Sequence, residues 1–121
     1  MLFRSLITLR HNKRAFVEKL DFLTSAGYFE GGDSRAQRKL PGRGPTAVIT
    51  DLGILEPDPV SKELTLTHVH QGISVEQVIA ETGWTLKVAE KVDTTEPPTE
   101  HELAVLRDLN ERTARAHAGQ Q

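Results

Sequence analysis

The sequence predicts a mixed fold, α/β or α+β, with a β-rich centre and helices late in the chain. Three observations carry this. Between Pro45 and Val69 the apolar residues run in short blocks or alternate, as in Ala47-Val48-Ile49 and in Leu64, Leu66 and His68 against Glu63, Thr65 and Thr67, which is strand periodicity. Ser74 with Gln77 and Thr99 with Glu102 are capping boxes, each opening an apolar pattern of helical spacing. Turn formers crowd Thr24 to Pro45 and recur at Pro57-Asp58-Pro59 and Pro97-Pro98.

In chain order, Leu6-Ile7-Thr8-Leu9 favours a strand, while Leu2, Phe3 and Leu6 are equally well spaced for a helix, and both readings stand. A polar stretch from Arg10 to Arg14 follows. Phe16 to Leu23 sets Phe16, Leu20 and Phe22 on one face, with Glu18 breaking the alternation, and predicts a strand. Thr24 to Pro45 holds Ser25, Gly27, Gly31-Gly32-Asp33 and Pro41-Gly42-Arg43-Gly44-Pro45. A loop of that length in a compact domain is expected to be functional or to be held by a partner. Ala47 to Thr50 and Leu52 to Leu55 predict strands interrupted near Gly53. Pro57-Asp58-Pro59 with Ser61 predicts the turn of a hairpin completed by Leu64 to His68. Ser74 opens a short helix with Val75, Val78 and Ile79 inward and Gly83 as its left-handed cap. Trp84, Leu86 and Val88 alternate as a strand. The last helix starts at Thr99 and is expected to bury Leu103, Val105, Leu106 and Leu109. Its outer face carries Asp108 with Arg112 and Glu111 with Arg115, acid first at i,i+4.

The chain has 121 residues, 37% hydrophobic and 26% charged, the size and composition of one soluble domain. No run approaches 18 apolar residues, and Leu2 to Leu9 is broken by Arg4, Ser5 and Thr8, so neither a membrane span nor a secretory signal is expected. The absence of cysteine excludes a disulfide framework, a thiolate metal site and a thiol nucleophile. A cytoplasmic protein is the expectation. The net charge of -2 divides unevenly, +5 over residues 1–43 and -7 over residues 44–121. The basic residues do not gather into runs and the aromatic residues sit in apolar patterns, so no nucleic-acid partner is expected.

His68 and His70, two apart, share a face if both lie in a strand, but a pair is too few for a metal site, and ordinary strand residues are expected. His11 beside Lys13 and Arg14 is within range of a phosphate, and a solvated loop histidine is the plainer expectation. Glu18 and Asp21 read as structural ion-pair partners. Thr24-Ser25-Ala26-Gly27 lacks the glycine two residues before the serine that a nucleophile elbow needs. Gly42-Arg43-Gly44-Pro45 leads into a strand, so no helix N-terminus is offered to a phosphate. No catalytic or metal-binding residue is assigned.

Several blocks in order resemble one family. They are His11 to Tyr28, Gly31-Gly32-Asp33-Ser34-Arg35, Leu40 to Pro45, Val48 to Gly53, Gly72 to Val78, Glu81-Thr82-Gly83-Trp84, Pro97 to Leu103 and Leu106-Arg107. Together they resemble the C-terminal portion of class I CoA-transferase β-subunits, in the glutaconate CoA-transferase branch. Val69-His70-Gln71-Gly72 departs from the family's usual His-Pro-Gly. The resemblance implies an α/β fold: the C-terminal part of an open sheet with packed helices and a β-hairpin, in which Leu6 to Leu9 is a strand. Residues 1–121 would form a single partial domain, with 1–5 outside the family and 113–121 a frayed tail.

The family transfers CoA between an acyl-CoA and a carboxylic acid through a glutamyl-CoA thioester. The resemblance implies that the nucleophilic glutamate lies upstream of this chain, which is then inactive alone. The implied partners are a CoA-transferase α-subunit, the missing β-subunit half, or both, with a small-molecule acyl-CoA as substrate. No tightly bound cofactor is implied; the coenzyme A thioester is the family's substrate. Gly27, Gly42 and Gly44 fit a CoA channel or, equally, a loop that turns tightly. Two alternatives remain at this level: a non-catalytic interaction module acting through Thr24 to Pro45, and part of an acyl-CoA ring-opening hydrolase of the same superfamily.

Overall fold

A computed structural model describes residues 5–119. The expectation for residues 1–5 falls, apart from Ser5, outside them. The elements are β1 (Ser5–Leu9), α1 (Ser34–Gln37), β2 (Pro45–Thr50), β3 (Gly53–Pro57), β4 (Leu64–Val69), α2 (Val75–Ala80), β5 (Lys87–Thr94) and α3 (Glu100–Ala118). The five strands form one open sheet in sequence order. Its middle is a meander, β2–β3 and β3–β4 both antiparallel, while β1 and β5 join β2 and β4 in parallel. Leu6 to Leu9 is therefore strand, and parallel pairing explains the long connection that follows it.

The hairpin turn forms where the prolines stand. Asp58 accepts the Val60 and Ser61 N–H groups on Oδ1, an Asx-type turn, and Lys62 closes it with φ 64°. Lys87 reaches across from β5 and donates to Asp58 Oδ2 at 2.8 Å. That contact, and then the two N–H groups, hold the Asp58 carboxyl well below the usual carboxylate range, and the same contact raises the Lys87 pKa.

The core lies where Val48, Leu55, Leu66 and Val69 of the sheet meet Val78 of α2, together with Phe16, Leu52 and Leu86 from connections. Leu55, Leu66 and Val78 are fully buried, each stabilising the fold by about 1.5–3 kcal/mol. Ser74 accepts the Gln77 N–H and Thr99 the Glu102 N–H, both at 3.2 Å, so both predicted caps form. The pairs Asp108–Arg112 and Glu111–Arg115 form as well. α3 is continuous to Ala118, through residues 113–118 of the expected tail.

Five expectations are corrected. Ile79 of α2 is not turned inward with Val78 but is 42% exposed. Phe16 to Leu23 is a chain of bends and not a strand, because no strand lies beside it to take its backbone hydrogen bonds. Gly83 is not left-handed. It is glycine because the Phe16 carbonyl sits where a Cβ would stand, and its N–H donates to that carbonyl at 2.8 Å. The strand expected from Trp84 begins only at Lys87. No residue of α3 is buried, and Val105, Leu106 and Leu109 are about half exposed.

Candidate functional site

The connection from β1 to β2 carries the most specific geometry, and Arg35 organises its second half. Arg35 stands on the single turn of α1 and donates from Nη1 to the Gly27 carbonyl at 2.7 Å and from Nη2 to the Pro41 carbonyl at 2.8 Å. One guanidinium thus ties the beginning of the loop to its end, using the fork geometry that lysine lacks. Gly44, at φ 79°, lies against the same side chain, and a Cβ there would stand 3.2 Å from Arg35 Cδ and Nε. The Nε itself is buried without a partner. Gly31, at φ 89°, has its open side against the Ser61 carbonyl, which also accepts the Gly32 N–H at 2.9 Å. This docks the loop on the β3–β4 turn. Tyr28 donates its hydroxyl to the Pro45 carbonyl at the head of β2.

Between these parts lies a cleft of about 680 Å³. Its lining includes Tyr28, Asp33, Arg35, Arg43, Glu56 and Lys62. Gly42, one of the three glycines expected at a channel or a turn, lines it too, while Gly27 and Gly44 face the Arg35 side chain.

The first half of the connection is anchored at its base. His11 is 4% exposed and not the solvated histidine expected from its neighbours. Its ring stacks on Phe16 with centroids 4.0 Å apart. Thr82 donates its hydroxyl to the Val78 carbonyl, so it accepts from His11 Nε2, 2.7 Å away. Thr50 Oγ1 accepts the Leu52 and Gly53 N–H groups, and its proton is shared between His11 Nδ1 at 3.2 Å and the Gly53 carbonyl at 3.3 Å. The neutral Nε2–H tautomer satisfies every member of this set. Burial lowers the His11 pKa, against the opposing pull of Asp51 and Glu81. Asp51 accepts the His11 backbone N–H at 2.7 Å, and that bond holds its carboxyl below the ordinary value.

His68 and His70 do not converge. His70 bonds the Thr50 carbonyl through Nε2 and Thr95 Oγ1 through Nδ1, both at 2.7 Å. His68 Nδ1 lies beside Thr67 Oγ1 and Glu56. Glu18 and Asp21 are exposed and make no ion pair among the described residues. Sequence reasoning missed Arg35, Thr50 and Thr82. An arginine amid glycines and prolines was a usable signal for the first; nothing local marked the two threonines.

Among the described residues no helix is long and apolar enough to cross a membrane. The family model for coenzyme A transferase matches residues 2–81. The chain is 54% identical over 116 residues to the β-subunit of 3-oxoadipate CoA-transferase from Pseudomonas knackmussii, covering 96% of this chain and 44% of that protein. It is 37% identical over 94 residues to the β-subunit of glutaconate CoA-transferase from Acidaminococcus fermentans, covering 77% of this chain and 35% of that one. The crystal structure of glutaconate coenzyme A-transferase from the same organism superposes with a TM-score of 0.75 at 35% identity, over 84% of this chain and 39% of that chain. The chain thus spans less than half the length of the relatives it matches. With two-thirds of its residues under the family model and its sheet shared with a solved transferase, the chain belongs to the coenzyme A transferase family.

Proposed function

We propose that this chain acts as the C-terminal portion of a CoA-transferase β-subunit, in an enzyme that moves CoA from an acyl-CoA to a carboxylic acid. The observation that carries the reading is 54% identity to such a β-subunit over nearly the whole chain. 3-Oxoadipate and glutaconate are both dicarboxylates, and we read the acid exchanged here as one of that class. The nucleophile is a glutamate outside these 121 residues. It attacks the acyl-CoA and becomes a glutamyl-CoA thioester, dividing one transfer into two easier steps. This portion contributes scaffold and walls, with the Arg35 loop as its most built surface, and is inactive by itself. The partners are the upstream half of the β-subunit and an α-subunit, and the assembled enzyme works in the cytoplasm.

The test is reconstitution. The chain, the upstream half of a related β-subunit and an α-subunit are mixed with a dicarboxylyl-CoA, and the thioester is trapped with hydroxylamine. A glutamyl hydroxamate that forms only in the complete mixture is the expected result. Its absence from a mixture that assembles as a stable complex would overturn the reading and favour a non-catalytic module.

A further inference from the structure

His11 joins three parts of the fold at one buried point. Its ring reaches Thr50 at the end of β2 through Nδ1 and Thr82, just after α2, through Nε2. One face stacks on Phe16, whose ring centre lies 5.8 Å from that of Trp84. Asn12 makes the turn that brings Phe16 back. Its carbonyl accepts the Ala15 and Phe16 N–H groups, and its side chain accepts those of Arg14 and Ala15. The Gly83 N–H then donates to the Phe16 carbonyl at 2.8 Å. Residues 18–25 that follow are all exposed, so the docking of this segment rests on the cluster around His11.

The cluster is complete only with a neutral ring. Protonation puts a hydrogen on Nδ1, facing a Thr50 oxygen that already accepts the Leu52 and Gly53 N–H groups. Thr50 can turn its own proton to the Gly53 carbonyl, but no lone pair is left for a third N–H. The Phe16 face attracts a cation, yet it accepts no hydrogen bond from the edge of a ring stacked 5° from parallel. The charged groups nearby are Asp51, with Arg10 beside it, and Glu81 after α2. Lys13 and Arg14 of the segment itself are exposed, and on the far side of Thr50 its carbonyl is bonded to His70. Among the described residues no carboxylate lies within ion-pair distance of the His11 ring. Burial outweighs the pull of Asp51 and Glu81 and favours the neutral form.

We propose that His11 is a pH-sensitive latch. Neutral, it holds the turn at residues 12–17 against the ends of β2 and α2; protonated, it lets that turn swing out with Phe16 so that the ring reaches water. Opening frees the Gly83 N–H and uncovers Trp84, while the sheet keeps its own bonds. The latch is independent of the CoA-transfer reading. Because the closed ring holds a proton less readily than the open one, opening grows as the pH falls below about 6.5, by up to about tenfold per pH unit for one proton.

Trp84 is the single tryptophan of the chain and reports the latch directly. On the full chain, its emission and the exchange of the Gly83 amide are followed from about pH 7.5 to about pH 5, across the histidine range. Corrected for the intrinsic chemistry of exchange, opening at Gly83 should rise toward about tenfold per pH unit, with Trp84 emission moving to the red in step. The amides of β3 and β4 should stay protected. His11→Asn should abolish the rise, and His68→Gln, at a histidine outside the cluster, should leave it unmoved. If His11→Asn does not fold by circular dichroism, NMR titration of the His11 ring in the wild-type chain decides, since the ring must take up its proton over the range in which Gly83 opens.

Gly83 exchange that does not respond to pH would overturn the latch, as would equal loss of protection in β3 and β4. So would a rise that survives in folded His11→Asn, a rise that His68→Gln removes, or a His11 titration apart from the opening.

Discussion

Residues 12–23 and 24–45 are neighbours in one connection, both nearly without regular structure, and they are held in opposite ways. The first is rich in apolar side chains yet fixed only at its base, where Phe16 enters the core and accepts the Gly83 N–H. Beyond that point Leu20, Phe22 and Leu23 lie in solvent. The second has few apolar residues but is tied by Arg35 to Gly27 and Pro41, by Gly32 to Ser61, and by Tyr28 to Pro45. Apolar content does not order a loop unless something faces it, whereas a few side-chain bonds to backbone carbonyls do so without a core.

The largest expected effect separates two phenylalanines of the first segment. Phe16, 5% exposed, should lose about 3–5 kcal/mol on substitution by alanine, measured by denaturant unfolding. A loss under about 1 kcal/mol, the typical effect of an unremarkable substitution, would mean that the segment has no anchor. In the second segment Arg35→Ala should lose about 2–3 kcal/mol through its two charge-assisted bonds. Hydrogen exchange should speed up across residues 24–45 and leave β3 and β4 unchanged; uniform acceleration would deny the loop its separate organisation. Gly31→Ala combines a left-handed backbone with a clash at the Ser61 carbonyl and should cost about 1–3 kcal/mol, read as a lowered melting temperature.

A pH effect is expected at the base of the first segment, where His11 is buried. The folded-state pKa of His11 lies below its unfolded value near 6.5. Its contribution is therefore fully present above that value and is lost as the pH falls through the lower folded value, because the unfolded chain binds the proton first. His11→Asn should flatten stability against pH in that window, and an unchanged slope would place the titration elsewhere. The smallest effect closes the comparison. Phe22, 75% exposed, should tolerate serine within about 0.5 kcal/mol, and a larger loss would show the segment packed in solution.

The strands of the central meander were legible because alternation and turn chemistry agree there. Ala47 to Thr50, the Asp58 turn and Leu64 to His68 each carry a local signal that the sheet reinforces. Both helix starts were legible for the same reason, since a cap is chemistry within four residues. Phe16 to Leu23 misled because alternation reports a half-buried face and cannot report whether a neighbouring strand exists. Gly83 misled because two different needs, a left-handed cap and room for a carbonyl, select the same residue. Of the candidate site, the glycines at 27, 42 and 44 were visible, but the arginine between them was not singled out. The histidines were visible and their partners were not, since Thr50 and Thr82 lie 39 and 71 residues from His11.

The order of parallel and antiparallel pairs in the sheet has a kinetic consequence. The antiparallel centre closes through two short turns, whereas each flanking strand must wait for a long crossover to be threaded before it gains a single bond. Assembly is therefore expected to run outward from the middle, with β1 docking last because its connection is the longer of the two. Leu6 and Ile7, among the most exposed apolar residues of the finished strand, spend that interval with no neighbour on either side. The strand expected to dock last thus also carries exposed apolar side chains, Leu6 and Ile7.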